Sequence, residues 1–277
     1  MSDIPSPHNP EAQIAPKQAG GVNRSFATLR SVMALILREM ATRYGRSPGG
    51  YIWAIVEPMA MILILAVAFS ALVRTPPLGN NFILFFATGV LPFQLYGALS
   101  NYVARALNFS RSLLFYPAVT WVDAVTARFA LNLLTDILVM LLLFILFVSI
   151  SDVTLFLEVG LIITAVSLAA LLGLGVGLVN CVLFGFFPVW MNIWGILNRP
   201  MFFISGVLFM YESMPPHLQG YLWYNPLMHI TSLMRAGFYP TYDAEFASPL
   251  YVVCCAMPLI FLGLLLLGRF HREILNR

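Results

Sequence analysis

Residues 52–73 read IWAIVEPMAMILILAVAFSALV, an apolar run in which Glu57 is the one charged residue. A helix needs roughly 20 apolar residues to cross a hydrocarbon core of about 30 Å. Five further stretches of similar character follow, at residues 82–104, 129–150, 160–184, 186–210 and 249–268. The sequence therefore predicts an all-α integral membrane protein with six transmembrane helices.

The composition supports a membrane protein that contains no motor of its own. Hydrophobic residues make up 60% of the 277 residues and charged residues 10%, against roughly 25% charged in soluble domains. A phosphate-cradling loop of the form GxxxxGKS or GxxxxGKT is absent, as are an HExxH motif and any Cys/His cluster. We therefore expect a transport protein that uses a gradient or a partner's energy, and no enzyme.

The positive charges are distributed unevenly between the two sides of the predicted spans. Those assigned to one side are Lys17, Arg24, Arg30, Arg38, Arg43, Arg46, Arg105, Arg111, Arg269, Arg272 and Arg277, whereas Arg74 and Arg235 are assigned to the other. Cytoplasmic loops carry the excess of lysine and arginine. The pattern predicts that both termini lie in the cytoplasm.

Two segments before the first span are predicted. Residues 1–23 are polar and proline-rich without the apolar core of a signal peptide, which favours a disordered cytoplasmic tail. Residues 24–44 place Leu29, Met33 and Met40 on one face at helical spacing, with Leu35 as an exception. A basic amphipathic helix of this kind is typical of the membrane interface. The alternative is a soluble helix packed on a partner.

Two later segments also lie outside the spans. Residues 105–117 form a short cytoplasmic segment that is either a docking site for a partner or a plain connector. Residues 211–248 are too rich in aromatic residues for a free loop, which predicts external re-entrant helices before the last span. Such irregular backbone is tolerated where it is buried in protein or lines a cavity. An aromatic belt at the membrane interface accounts for some of these residues.

Polar and aromatic residues within the fifth stretch are candidates for contact with a transported molecule. Arg199 lies near its middle, where a charge costs about 2.5–3.5 kcal/mol, so it should face a cavity or pair with Asp136 or Glu57. Three aromatic residues, Phe187, Trp190 and Trp194, share one helical face with Asn198. They could stack on sugar rings while Arg199 attracts acidic groups, or they could simply pack the helix.

Four stretches in this order resemble the permeases of ABC-2 type transporters, specifically those of capsular polysaccharide exporters. They are LREMATRY at residues 37–44 leading to SPGGYIW at 47–53, the pair Glu57-Pro58, the segment 108–117, and YNPL at 224–227 followed by His229 and Arg235. The resemblance covers the chain from about Arg24 onward. It assigns residues 24–277 to one ABC-2 type transmembrane domain.

The resemblance implies a homodimer in the bacterial inner membrane with two copies of a separate ABC ATPase subunit. ATP and magnesium would bind those subunits, so we expect no cofactor on this chain. The cargo would be a lipid-linked acidic glycan moved from cytoplasm to periplasm. Periplasmic co-polymerase-type and outer-membrane export proteins would receive it, and no nucleic acid is expected.

The resemblance and the residue pattern together give candidate sites. Substrate contacts are assigned to Arg199, Trp190, Trp194 and Phe187 in the channel and to Arg38, Arg43 and Arg46 at the lipid-anchor phosphate. Coupling to the ATPase is assigned to Arg105, Asn108, Arg111, Leu113 and Tyr116. Structural or gating roles are assigned to Glu57, Asp136, Asn225 and Pro226.

Other functions remain open at this stage. Exporters of O-antigen or teichoic acid look similar to capsule exporters. A gradient-driven transporter could use Glu57, Asp136 and Arg199 as a proton relay, although residues 52–150 and 160–268 show no convincing repeat of the kind such carriers often have. A non-catalytic scaffold for glycan synthesis is a third possibility.

Overall fold

The computed structural model describes residues 27–44, 50–115, 119–150 and 157–276. The predicted tail at 1–23 lies outside these residues. The described elements are α1 (Ala27–Tyr44), α2 (Gly50–Leu72), α3 (Phe82–Ala104), α4 (Ala106–Leu114), α5 (Trp121–Ile150), α6 (Val159–Phe186), α7 (Pro188–Ile204), a 3₁₀ turn (Tyr211–Ser213), α8 (Pro216–Leu222), α9 (Pro226–Phe238) and α10 (Pro249–Asn276).

Five helical stretches in the described part of the chain are long and apolar enough to cross a membrane. They are Ile52–Leu72, Phe82–Leu114, Trp121–Ile150, Val159–Phe186 and Pro249–Asn276. These stretches contain or nearly coincide with the first four predicted spans and the last one. The prediction of an all-α protein with several membrane-length helices is therefore confirmed.

The predicted fifth span, residues 186–210, does not form one long helix. Its helix α7 has 17 residues, which corresponds to about 26 Å at 1.5 Å per residue. The helix ends at Ile204 with Ser205 as its C-cap, and Gly206 follows with a φ angle of 71°. Only glycine adopts that backbone readily, and a Cβ atom there would also collide with the Met228 side chain. The chain therefore turns instead of continuing the helix.

Helix α6 is the centre of the bundle and packs against α3, α9 and α10. Two of its glycines bring it close to α3: a Cβ atom at Gly173 would lie 3.0 Å from the Tyr96 carbonyl oxygen, and one at Gly177 would lie 2.9 Å from that of Ser100. Small residues at such spacing allow membrane helices to approach closely. The resulting van der Waals packing favours helix association, because lipid provides no hydrophobic driving force between helices. The core around this contact includes Phe85, Phe86 and Leu99.

Helix α5 begins with a reciprocal cap. The Asp123 carboxylate accepts hydrogen bonds from the Thr120 amide at 2.9 Å and from the Thr120 hydroxyl at 2.8 Å. The Thr120 hydroxyl oxygen in turn accepts from the Asp123 amide at 3.2 Å. These bonds satisfy donors that the first turn of a helix leaves open. Asp123 is itself buried.

Helix α1 packs on α5 through the residue that seemed an exception to its pattern. Leu35 and Val32 are buried against Ala127, whereas Leu29 and Met33 on another face are exposed. The amphipathic face predicted from the sequence is thus the exposed one. A second, narrower face fixes the helix to the bundle.

A buried ion pair lies at this junction between α1 and α5. Arg128 Nε donates to Glu39 Oε1 at 3.0 Å, and the two side chains are 9% and 3% exposed. Arg128 also donates to the Tyr102 carbonyl oxygen at 3.3 Å, and its guanidinium carbon lies 4.1 Å from the centre of the Phe109 ring. One side chain therefore connects α1, α3, α4 and α5.

We predict that Arg128→Met lowers the free energy of unfolding by about 3–5 kcal/mol, because it removes the guanidinium that pairs with the buried Glu39 carboxylate. The measurement is the midpoint of thermal unfolding of the purified protein. Arg272→Met, which changes an exposed arginine of α10, should leave the midpoint unchanged. The double variant Glu39→Leu/Arg128→Met should recover part of the loss. Equal midpoints for Arg128→Met and Arg272→Met would contradict this role.

Candidate functional site

The predicted aromatic face lies on α7 and is directed partly toward the bundle. Trp190, Trp194 and Asn198 are half-buried, whereas Phe187, which precedes the helix, is 62% exposed. The Trp190 indole N–H donates to Asn180 Oδ1 on α6 at 3.0 Å. Within the described residues, the buried Trp194 Nε1 and Asn198 Oδ1 atoms have no hydrogen-bond partner. The structure brings three of these four residues onto one surface.

Arg199 is exposed on α7. Among the described residues it forms no ion pair with Asp136 or Glu57, which is the internal pairing that the sequence left open. Its neighbour Asn198 faces a cavity that also borders Asp136 and Glu57. The guanidinium of Arg199 is thus available to groups outside the described chain.

A cavity of about 680 Å³ lies between α2, α3, α5 and α7. Its polar lining comprises Glu57, Gln94, Asn101, Arg105, Thr135, Asp136 and Asn198, with Trp53 and Tyr102 also on the wall. The structure therefore unites residues to which the sequence assigned separate roles, gating for Glu57 and Asp136 and coupling for Arg105. Gln94, Asn101 and Thr135 were not identified from the sequence, where they stand as single polar residues within apolar stretches.

Helix α4 carries most of the predicted coupling residues. Asn108 and Arg111 are exposed and Leu113 is half-buried, while Arg105 is the exposed residue at which α3 ends and α4 begins. The opposite face packs into the bundle through Ala106, Leu107 and Ser110. Tyr116 lies outside the described residues. The helix is therefore held firmly while one face remains accessible.

The three arginines assigned to the lipid anchor are only partly described. Arg38 is exposed on α1. Arg46 and the side chain of Arg43 lie outside the described residues. The proposed phosphate contact therefore rests on the sequence pattern and on the position of Arg38.

The turn at Asn225-Pro226 ties the start of α9 to the end of α7. Asn225 Oδ1 accepts from the Leu227 amide at 3.0 Å, which caps α9. Its Nδ2 donates to the Ile204 carbonyl oxygen at 3.0 Å and to the Ser205 hydroxyl at 3.2 Å. Pro226 occupies the first turn of α9, where a missing N–H costs nothing. These contacts give the two residues a structural role.

The sequence assigned Arg235 to the external re-entrant segment and did not show what it contacts. Arg235 is 1% exposed and lies on α9, which is buried from Leu227 to Phe238. Its Nη1 and Nη2 donate to the carbonyl oxygens of Phe209 and Val207 at 2.9 and 3.0 Å. The guanidinium also stacks over the Phe85 ring at 4.3 Å. Arg235 therefore holds the chain that follows α7.

His229 connects α9 to the segments on either side of it. The Ser248 amide donates to its Nδ1 at 3.1 Å, so the ring proton is on Nε2, which donates to the Trp223 carbonyl oxygen at 2.7 Å. Burial lowers the pKa of His229 below its usual value. A neutral imidazole is required to accept the Ser248 hydrogen bond. The Tyr242 hydroxyl, further along, donates to Glu212 at 3.0 Å.

Comparison with known proteins identifies the class to which this fold belongs. A family model described as ABC-2 type transporter matches residues 30–239, and the chain belongs to that family.

Individual relatives extend over most of the chain. It is 33% identical over 239 residues to "Polysialic acid transport protein KpsM" of Escherichia coli, covering 85% of this chain and 92% of that protein. It is 27% identical to "Capsule polysaccharide export inner-membrane protein CtrC" of Neisseria meningitidis over 88% of this chain and 92% of the relative. It is 26% identical to "Capsule polysaccharide export inner-membrane protein BexB" of Haemophilus influenzae, with the same coverage.

We predict that Arg235→Lys destabilises the protein by about 1–3 kcal/mol, because an ammonium cannot reproduce the fork that joins two carbonyl groups and one becomes unpaired. The segment between α7 and α9 should also become more sensitive to protease. Thermal unfolding and limited proteolysis measure the two effects. Arg74→Lys, at an exposed position, is the matched control. The two variants should differ clearly, and identical behaviour would show that the fork is unimportant.

Proposed function

We propose that this chain is the transmembrane permease subunit of an ATP-driven exporter that moves lipid-linked capsular polysaccharide from cytoplasm to periplasm. Membership in the ABC-2 type transporter family carries this proposal. The cargo is inferred from relatives whose names refer to capsule polysaccharide export and polysialic acid transport. The chain has no phosphate-binding loop, so a separate ATPase subunit would bind ATP and magnesium. That subunit, not this chain, would carry out the hydrolysis.

The charge on α7 favours a homodimer. Arg199 is exposed on a helix whose other exposed residues are largely apolar, such as Ile196 and Phe203. A charge facing lipid at mid-membrane depth costs about 2.5–3.5 kcal/mol. A second copy opposite α7 would enclose Arg199 in a polar path between the subunits and remove that cost. Trp190 and Trp194 are on the same helix as Arg199 and would offer aromatic surfaces on which sugar rings could stack.

The proposed topology places both termini in the cytoplasm of a bacterial inner-membrane protein. Arg269 and Arg272 at the end of α10 and Arg111 on α4 would then lie on the cytoplasmic side, as the positive-inside rule requires. Helix α7 would provide the fifth crossing in chain order and bring the total to six. The turn after Ile204 would lie at the end of this crossing. Residues 211–248 would then form the re-entrant cap on the periplasmic side, where the other export proteins would receive the glycan.

Helix α4 is the proposed contact for the ATPase. It exposes Asn108, Arg111 and part of the Phe109 ring. Phe109 also touches Arg128, which is paired with Glu39 of α1. A displacement of α4 would therefore reach the interfacial helix and α5 directly. This arrangement suits a segment that transmits closure of the ATPase to the membrane helices.

We predict that affinity purification of this chain from its own membranes recovers an ATPase subunit in equal proportion. Arg111→Glu should reduce the recovered ATPase at least severalfold, because it reverses a charge on the exposed face of α4. Arg74→Glu, located between α2 and α3 at the opposite end of the bundle, should not. The assay measures ATPase activity and subunit ratio. Absence of any ATPase after mild extraction would overturn the proposed function.

We predict that Arg199→Ala abolishes most surface glycan while the amount of co-purified ATPase stays unchanged, because the residue would meet the cargo and not the partner. Arg199→Lys should restore part of the export, since it keeps the charge but loses the planar fork. Quantification of surface polysaccharide against the intracellular pool provides the measurement. Normal surface glycan in Arg199→Ala would remove this residue from the transport path.

A further inference from the structure

The cavity between α2, α3, α5 and α7 is a candidate binding site separate from the exposed side of α7 that carries Arg199. Its volume of about 680 Å³ falls within the range of roughly 300–1,000 Å³ found for small-molecule sites. Polar side chains from four helices converge on it, although these helices are otherwise apolar. Polar groups at membrane depth are costly and typically mark a pathway or a binding site.

The cavity wall offers donors, on Gln94 and Arg105, as well as a set of acceptor oxygens. Asn198 Oδ1 is buried with no partner among the described residues. The Thr135 hydroxyl already donates to the Leu131 carbonyl oxygen at 2.8 Å, so its oxygen can only accept. The Asn101 amide nitrogen likewise donates to the Gly97 carbonyl oxygen at 2.9 Å, which leaves the Asn101 amide oxygen as an acceptor. A ligand that supplies several donors would satisfy these atoms.

The charges on the wall disfavour an anionic ligand group. Two carboxylates, those of Glu57 and Asp136, border the cavity together with one arginine, Arg105. A ligand carboxylate would meet two like charges against one opposite charge, so its net interaction with these charges would be repulsive. Hydroxyl groups carry no charge and both donate and accept, so they match this wall.

An aromatic surface completes the site. Trp53 lines the cavity and is 67% exposed, so much of its indole ring is accessible for stacking. Aromatic rings combined with a few placed polar groups are typical of ligand pockets. Gly97, whose missing side chain leaves space beside the Asn198 amide, adds room on the α3 side.

From this geometry we infer that the cavity binds an uncharged, hydroxyl-rich sugar ring of the transported glycan and rejects uronic or sialic acid rings at this position. The inference rests on the proposed function. In an acidic polymer the cavity would hold a neutral unit, while Arg199 meets the acidic ones. Binding is weak, because a transport path must also release its cargo.

Saturation-transfer NMR on the full chain tests the inference. The protein is placed in nanodiscs of phosphatidylethanolamine and phosphatidylglycerol, so that no sugar-headed detergent competes. The two probes are cellotetraose and cellotetrauronic acid, which differ only by oxidation at C6. Cellotetraose should bind and the uronate should bind at least ~10-fold more weakly, the factor expected for one lost or opposed polar contact. Equal or stronger binding of the uronate, or no binding of cellotetraose, overturns the inference.

Variants locate the binding within the cavity. Asn198→Leu removes the unpaired acceptor at similar volume and should weaken cellotetraose binding at least ~10-fold. Asn192→Leu makes the same change on the same helix at an exposed position away from the cavity, and it should bind like the wild type. Asp136→Asn removes one of the like charges and should improve uronate binding. Equal affinity of the two leucine variants would place the sugar elsewhere.

Two controls keep the result interpretable. Asn198→Ser, which is smaller and retains a polar atom, should bind more tightly than Asn198→Leu if the acceptor matters and the fold is intact. The comparison of the two sugars on the wild-type chain depends on no variant. Failure of sugar binding would leave ATPase co-purification and the dependence on Arg199 intact. Absence of the ATPase would instead defeat the proposed function itself.

Discussion

The need to satisfy backbone polar groups away from water is the constraint on which the rest of this structure depends. Helices meet it within themselves, but the chain after α7 turns and returns inside the bundle, where no water can substitute. Arg235 solves this problem by donating to the carbonyl oxygens of Val207 and Phe209. The Asn225 side-chain amide likewise donates to the carbonyl oxygen of Ile204. These contacts tie the end of the short α7 to the buried α9.

A second set of polar contacts joins the opposite end of the bundle. Arg128 pairs with Glu39, reaches the Tyr102 carbonyl and stacks on Phe109. These contacts connect the proposed interfacial helix to the proposed coupling helix through one guanidinium. Isolated buried ion pairs contribute little net stability. Their value here would lie in fixing the relative position of α1, α4 and α5.

The polar groups around α7 divide into two environments. Arg199 on the exposed side of α7 offers a positive charge, whereas the cavity beside Asn198 offers carboxylate and amide oxygens. An acidic polymer with neutral units would encounter both as it passed. Neither environment alone would bind a long chain tightly, which suits a path that must let its cargo leave.

The sequence by itself determined the helical membrane class, five of the long helices and the exposed amphipathic face of α1. These features depend on composition and on neighbours within a few residues, which a single chain displays directly. Only the tertiary structure decided that Arg235 is buried, that Glu39 pairs with a residue 89 positions away, and that Glu57, Asp136 and Asn198 border one cavity. The sequence shows Arg235 as a cation and Glu39 as an anion whether the side chain faces water or a buried partner. Hydropathy could therefore not predict which of these environments each side chain has. The packing of α9 against α3 and α6 buried Arg235, and the packing of α1 against α5 buried Glu39.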